Sequence, residues 1–470
     1  MFMLLSFTGA PRKRATALAA VVVCLLALAG AGQAQTQAMP ASPGDPLVSG
    51  GVVQSARLSL PQAMRAAVEW HPSVRTTAQQ ILQATEGIET ARAGYYPQVR
   101  GGINSQLSNR NIGSYESRRL NTVDLSVSQV LYDFGKVASA VDQAEASVAA
   151  TKAQSQLSAD EVARETAFSW IEIHRQKELG EIARDQIRGV QALTDLVFER
   201  ARQGASSRSD VVQAQSRVEA ARAQQLTADA QLARWRVNLM HLTGSRSSVD
   251  ITDTPPAALE GACRAGMGTQ PVNPPAVQLA DAQREIAKAD LRAAEAQLLP
   301  TLSLDGSVGR GLDARSRLPG ENGLSTTVGL NFSAPLYEGG GNQSRKRAAA
   351  YALSAADAAR AQAELAARQA LEDALAQSQG QVQRLPVLAA RVESIRSTRD
   401  LYKQQYLQLG TRSLLDLLNA EQEYHAVRFE QAESAHELQR LAVQCLYQTG
   451  QLRAIFGIDD LRASAAGSMR

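Results

Sequence analysis

Little in this 470-residue chain invites chemistry. Its five histidines, His71, His174, His241, His425 and His436, show no metal-ligand spacing with cysteines or carboxylates. His425 and His436 fall three turns apart on one helix face and are expected to be solvated surface. No Gly-x-Ser-x-Gly nucleophile elbow occurs. Gly339-Gly340-Gly341 runs into Asn342 instead of the Lys-Ser/Thr of a phosphate loop, and fits a strand-to-helix bend. Neither metal nor cofactor is therefore expected, and a hydrolytic enzyme has no motif to support it. The net charge is only +3 and aromatics are 4% of the chain. Without a dense basic stripe interleaved with aromatics, nucleic acid is not an expected partner. After Ala34 no apolar run reaches the length of a membrane-spanning helix. If this chain crosses a membrane, it does so with strands.

The N-terminus reads as a targeting segment, residues 1–34. Arg12-Lys13-Arg14 is a positive n-region, the apolar run 15–29 is too short for a stable membrane helix, and Gly32-Gln33-Ala34 is a cleavage site of small residues. Val23 precedes Cys24 where lipid attachment wants a small residue, which argues against lipidation. Residues 35–57, rich in Pro, Gly and Ser, read as a flexible arm. Processing leaves Cys263, read as loop, and Cys445, read as helix; a disulfide between them is left open.

What is present is said twice. Pro97 in Ala93-Gly94-Tyr95-Tyr96-Pro97 returns as Pro300 in Ala296-Gln297-Leu298-Leu299-Pro300 (300 − 97 = 203). Leu131-Tyr132-Asp133 returns as Leu336-Tyr337-Glu338 (336 − 131 = 205), and Gly204 with the segment to Ala214 returns as Gly410 with the segment to Ala420 (410 − 204 = 206). Landmarks in one order at near-constant offset indicate an internal duplication, with a unit far longer than a solenoid repeat. The first repeat spans residues 58–255, a linker 256–274, the second repeat 275–456, and a tail 457–470.

Each repeat opens with a helix, expected over 61–94 and 275–299, that stops at the switch prolines Pro97 and Pro300. The period then changes to two. Val99, Ile103, Val123, Leu125 and Val127 alternate with polar residues, as do Leu302, Leu304, Val308, Val328, Leu330 and Phe332. These are β-hairpins, 97–132 and 300–337, with polar loops 108–121 and 309–323. Such strands suit either a soluble core or, tilted, a bilayer. In lipid an open sheet edge leaves backbone groups unpaired, so four strands must be completed by copies of the chain. Two copies give eight strands, filled by side chains; three give twelve and a lumen.

A very long helix follows each hairpin, 136–203 and 343–409, the first without proline and the second with a local kink expected at Pro386. At ~1.5 Å per residue each spans roughly 100 Å. Gly204 and Gly410 close them, and shorter return helices run 207–243 and 411–449. The stripes are pale, with Ala, Gln, Ser and Thr beside Leu and Val. On the helices alone, a coiled-coil rod and a water-filled tube both remain.

Helix, proline, strand, loop, strand, Leu-Tyr-Asp/Glu, long helix, glycine turn, helix, all duplicated, resembles the TolC family of outer-membrane exit ducts. The likeness runs from about Leu58 to Phe456 and is most specific at Gly410-Thr411-Arg412-Ser413-Leu414-Leu415-Asp416-Leu417-Leu418-Asn419-Ala420, with Ser209-Asp210-Val211-Val212-Gln213-Ala214 as the partner copy. The resemblance implies an α+β fold: four strands per chain completing a twelve-stranded outer-membrane barrel in a homotrimer, above a periplasmic α-barrel. It implies as partners a periplasmic adaptor (membrane fusion protein), an inner-membrane ABC or proton-driven pump, and outer-membrane lipid. Gly204 and Gly410 then mark the adaptor-docking tips at a periplasmic mouth closed at rest. Asp210 and Arg412 match positions that link neighbouring helix pairs in the closed state, and Asp416 matches a position facing the pore axis. Three such carboxylates would favour cations. Asn419 stands where a second acidic ring is expected and Leu407 where a hydrogen-bonding aromatic is, which leaves the gate resting mostly on Arg412–Asp210. Caps and dipole contacts are the plainer roles for these groups. The unlipidated N-terminus leans toward type I protein secretion. Drug or metal efflux is the alternative, and a periplasmic rod or adaptor the alternative from another class.

Overall fold

The computed structural model describes residues 57–107, 111–112, 115–116, 119–247, 249–252, 254–265, 273–312 and 324–458. The targeting segment with Cys24, the arm up to residue 56, most of the second polar loop and the tail after Ile458 lie outside the described residues.

The first departure from expectation is at His71-Pro72. The opening helix is two helices, α1 (Leu60–Trp70) and α2 (Pro72–Arg92). Pro72 lacks an N–H and excludes helical geometry at the preceding residue. His71 is accordingly extended (φ −61°, ψ 130°) and its Nδ1 accepts from Ser73 N–H at 3.3 Å, capping α2. A 3-10 turn (Ala93–Tyr95) then delivers the chain to Pro97 and the sheet.

Strands β1 (Gln98–Leu107), β2 (Asn111–Ile112), β3 (Tyr115–Glu116) and β4 (Arg119–Tyr132) follow. The first polar loop is thus shorter than expected, with β2 and β3 paired inside it and β4 already running at Arg119. The strand-to-helix corner explains why Leu-Tyr-Asp/Glu recurs. Asp133 accepts from Gly135 N–H (2.9 Å) and Val137 N–H (2.6 Å), filling donors that a helix start leaves unpaired. Phe134 (φ 55°) and Gly135 (φ 93°) make the bend, as Gly339 and Gly340 do in the second copy. From it runs α3 (Lys136–Arg202), 67 residues and so about 100 Å long.

The return helix is α4 (Arg208–Thr243). The linker carries a 3-10 turn (Ala257–Leu259) and the four-residue α5 (Ala262–Ala265), so Cys263 stands in a short helix and not in loop. The second repeat adds α6 (Pro275–Ala296), β5 (Thr301–Gly311), β6 (Leu324–Ser333), α7 (Gly341–Gln404) and α8 (Leu414–Gln448), with α9 (Leu452–Phe456) closing the described chain. Pro386 sits inside α7. The long helix ends earlier than expected, because Gln405–Leu409 widen into a π turn before Gly410 (φ 62°).

The four long strands form one antiparallel sheet in the order β1-β4-β5-β6. Its register sorts the side chains. Val99 opposes Val127, Ile103 opposes Val123, Leu125 opposes Val308, and Leu304 opposes Leu330 on one face. Gly102 opposes Asp124 and Ser128 opposes Asp305 on the other. The apolar face is not buried against a core: Ile103 is 78% exposed and Val328 73%. A soluble hairpin would hide these residues, so the pattern points to lipid as their cover.

Four long helices lie side by side in the order α4, α3, α8, α7, with α2 and α6 against α3 and α6 also against α7. The main core is a belt partway along them, built from α1, the middle of α3, the ends of α4 and α8, the linker and α9. Trp170 is fully buried there and donates its indole N–H to Leu58 O at 3.1 Å, while Leu58 bridges Ile251 in parallel. Arg453 pairs with Asp160 at 2.7 Å, both largely buried, which fastens α9 to α3. Cys263 is disulfide-bonded to Cys445 with Cα atoms 5.3 Å apart, tying the linker to α8.

Candidate gate at the hairpin tips

The ends of the two helix hairpins farthest from the sheet meet in a second apolar core. Val190, Leu193, Val197, Ala214 and Val218 of the first hairpin pack with Tyr406, Leu414, Leu417 and Leu418 of the second. Both tips turn on left-handed glycines, Gly204 (φ 73°) and Gly410 (φ 62°), a conformation that a Cβ disfavours.

The return helices start alike. Ser207 Oγ accepts from Asp210 N–H (3.1 Å) while Asp210 Oδ2 accepts from Ser207 N–H (3.0 Å). Ser413 and Asp416 repeat this capping box at 3.1 and 3.4 Å. Both acidic residues singled out from the sequence therefore cap their own helices, and each has carboxylate capacity left for a further partner. Arg412 stays on its own hairpin. Its Nε donates to Gln405 Oε1 at 3.1 Å, its guanidinium lies 4.4 Å from the Tyr402 ring centre, and Nη1 is 4.0 Å from Asp416 Oδ2. Within one chain, among the described residues, Arg412 and Asp416 come together and Arg412 and Asp210 do not. Asn419 Oδ1 accepts from Arg217 Nη2 of α4 at 3.3 Å, which links the two hairpins.

Above the tips, the α3–α8 seam is polar, and here the histidines depart from expectation. His425 is 2% exposed and His436 3%. The helix face that reads as solvated is the one α8 turns to its neighbours, because α8 lies between α3 and α7. His436 Nε2 is 2.7 Å from Glu178 Oε2 of α3, and the His174 ring is 5.4 Å away. His425 Nε2 is 3.1 Å from Glu421 Oε1. A Cβ at Gly189 would fall 2.1 Å from that Glu421 oxygen, so a larger residue there would make the carboxylate shift. The hydrogen bond with His436 holds the Glu178 carboxyl below its ordinary value against the opposing effect of burial, and the hydrogen bond from Arg428 does the same for Asp185. Arg428 reaches Asp185 at 2.9 Å and Arg175 reaches Glu433 at 3.4 Å across the same seam.

Sequence reasoning also missed Arg200, which crosses from the first tip to Tyr406 of the second. The repeat offset held the signal, since 406 − 200 = 206 makes them equivalent positions. Phe198, Leu407, Leu409 and Leu415 stand exposed around the tips and offer apolar surface there.

A two-faced sheet with open edges, continuous with helices about 100 Å long, defines one segment of a membrane barrel with a helical extension. Comparisons with known proteins agree. The family model described as "Outer membrane efflux protein" matches residues 63–245 and 271–449, and the chain belongs to this family. The chain is 23% identical over 393 residues to the outer membrane efflux protein BepC of Brucella suis biovar 1, covering 78% of this chain and 80% of BepC. It is 25% identical over 376 residues to the outer membrane protein TolC of Vibrio cholerae (77% and 84% covered), and 25% over 416 residues to the protein CyaE of Bordetella pertussis (84% and 84%). Among solved structures, CusC superposes with a TM-score of 0.73 at 19% identity, covering 83% of this chain and 91% of that one. VceC of Vibrio cholerae gives 0.71 at 18% identity, covering 83% and 96%. The protein thus lies in the outer membrane and extends into the periplasm. Its family consists of channels and not enzymes; they form trimers and work with an adaptor and an inner-membrane pump.

Proposed function

We propose that three copies of this chain close a twelve-stranded outer-membrane barrel and form the exit duct of a type I protein secretion machine. The observation that carries the reading is the sheet. Among the described residues its β1 and β6 edges have no partner strand, one face is apolar and exposed, and the other is lined by Asp124, Ser128 and Asp305. Joining β6 of one chain to β1 of the next removes every open edge from lipid. The flanking helices α4 and α7 meet their counterparts in neighbouring chains by the same rotation. Substrate passes without chemistry in the duct, and energy comes from an ABC or proton-driven pump through a periplasmic adaptor at the Gly204 and Gly410 tips. In the closed trimer Asp416 forms a ring of three carboxylates, with Asn419 one turn further in, and Arg412 reaches Asp210 of a neighbouring helix pair.

Val23 before Cys24, where lipid attachment wants a small residue, supports secretion over drug or metal efflux, and the efflux name of BepC favours the second reading. Deleting the chain from its cell separates them. Type I secretion predicts loss of one or a few proteins from the culture medium with unchanged tolerance to drugs and metals. A full set of secreted proteins with increased drug or metal sensitivity would replace that reading with efflux.

A further inference from the structure

The two tips of one chain touch through equivalent residues that do different work. Arg200 stands four positions before Gly204, and Tyr406 four before Gly410. At the first tip the backbone closes on itself, with Ala205 N–H donating to Arg200 O at 2.7 Å and Gly204 N–H to Ala201 O at 3.0 Å. The second tip departs from its twin. Its last turn is the π turn Gln405–Leu409, an irregularity that recurs at functional positions, and Tyr406 inside it is 6% exposed. Arg200 Nη1 crosses from α3 to donate to Tyr406 O at 3.1 Å, and the guanidinium lies 4.6 Å from the Tyr406 ring centre.

We propose that Arg200 is a positioning residue of the gate: it holds the π turn of the second tip against the first hairpin at rest and releases it when the duct opens. The inference rests on the tips being the gate of the proposed duct. A helix end gathers carbonyls that lack intrahelical donors and carries partial negative charge, and a cation from the neighbouring hairpin answers both. Only a planar guanidinium can donate to the carbonyl and stack on the ring at once. The apolar contacts around it, Leu193, Val197, Leu414, Leu417 and Leu418, hold the tips together but have no direction. The Arg200–Tyr406 contact adds the register. The tie is also releasable, because Arg200 Nε is buried without a hydrogen-bond partner among the described residues, a cost that opening removes. Arg412 works differently: within its own chain it contacts only its own hairpin among the described residues, at Tyr402, Gln405 and Asp416, so its gating partner is Asp210 of a neighbouring chain.

The test is single-channel conductance of the full-length protein in planar bilayers. Arg200→Gln is expected to raise conductance several-fold. Arg200→Lys, which keeps the charge but loses fork and stack, and Tyr406→Leu, which keeps the carbonyl but loses the ring, fall between it and the parent. Combining Arg200→Gln with Tyr406→Leu adds little beyond Arg200→Gln, because both cut one contact. Thermal unfolding of the trimer separates a latch from a general support: the latch requires nearly unchanged melting for Arg200→Lys despite its raised conductance. Should Arg200→Gln fail to assemble, Tyr406→Leu carries the test alone. Parental conductance in Arg200→Gln and Tyr406→Leu, with a rise in Arg412→Ser, overturns the latch and leaves the gate standing. Absence of conductance in the parent and every variant removes the duct itself.

Discussion

Leu125→Arg will stop the chain from assembling in the outer membrane, whereas Ser126→Arg, one residue on, will assemble. Leu125 lies near the middle of β4, between Gly101 of β1 and Val308 of β5, on the exposed apolar face. Ser126 opposes Arg100 and Ser307 on the polar face. An arginine toward lipid near the midplane costs about 2–4 kcal/mol per chain, and threefold symmetry repeats it three times. That is comparable with the whole stability of an ordinary domain, about 5–15 kcal/mol. An arginine toward the lumen keeps its water. Urea unfolding in lipid vesicles, with membrane fractionation of each variant, reads the difference. Equal assembly of both variants would mean that the apolar face does not meet lipid, and would return the periplasmic rod to consideration.

Loss of the disulfide will destabilise the helical belt. Cys263 and Cys445 are 182 residues apart in sequence, so the bond encloses nearly the whole second repeat, including both its strands and its tip. Loop-closure entropy for a ring of that size amounts to about 5 kcal/mol. The bond is nearly inaccessible, packed among Leu371, Ala374 and Leu441. An exported protein meets an oxidising compartment where such a bond persists. The Cys263→Ser/Cys445→Ser pair is therefore expected to lower the melting temperature of the purified protein, with mild reductant acting only after partial unfolding. A double variant that melts with the parent would show that the linker is held by its other contacts.

Much of the fold was legible because its signals are local. The switch from helical to alternating period at Pro97 and Pro300, the glycines closing the long helices, and the echo of each landmark about 205 residues later locate the long strands and the hairpin helices within a few residues, while the first opening helix, read as one, is two. Asp133 and Glu338 recur because a strand must turn into a helix at both corners. What escaped depends on neighbours that periodicity does not name. His425 and His436 share a face, as their spacing says, but both are buried instead of solvated, His436 against α3. The Cys263–Cys445 bond requires knowing that the linker folds back on α8. Arg412 carries the expected charge at the expected place, yet within the chain its partners are Gln405, Asp416 and Tyr402 of its own hairpin. The π turn and Arg200 were hidden for another reason: the two copies are similar enough to be aligned, and here they differ. His71-Pro72 was a local signal overlooked, since a proline usually stops a helix before the residue that precedes it, and Pro72 stands two residues past Trp70.

The central claim is that three chains make one pore. Purified from outer-membrane fractions in detergent, the parent protein is predicted to have the mass of a trimer and to give small, cation-selective single-channel currents in a planar bilayer, as a closed acidic mouth requires. A monomer or dimer that fractionates without detergent and passes no current would contradict the account.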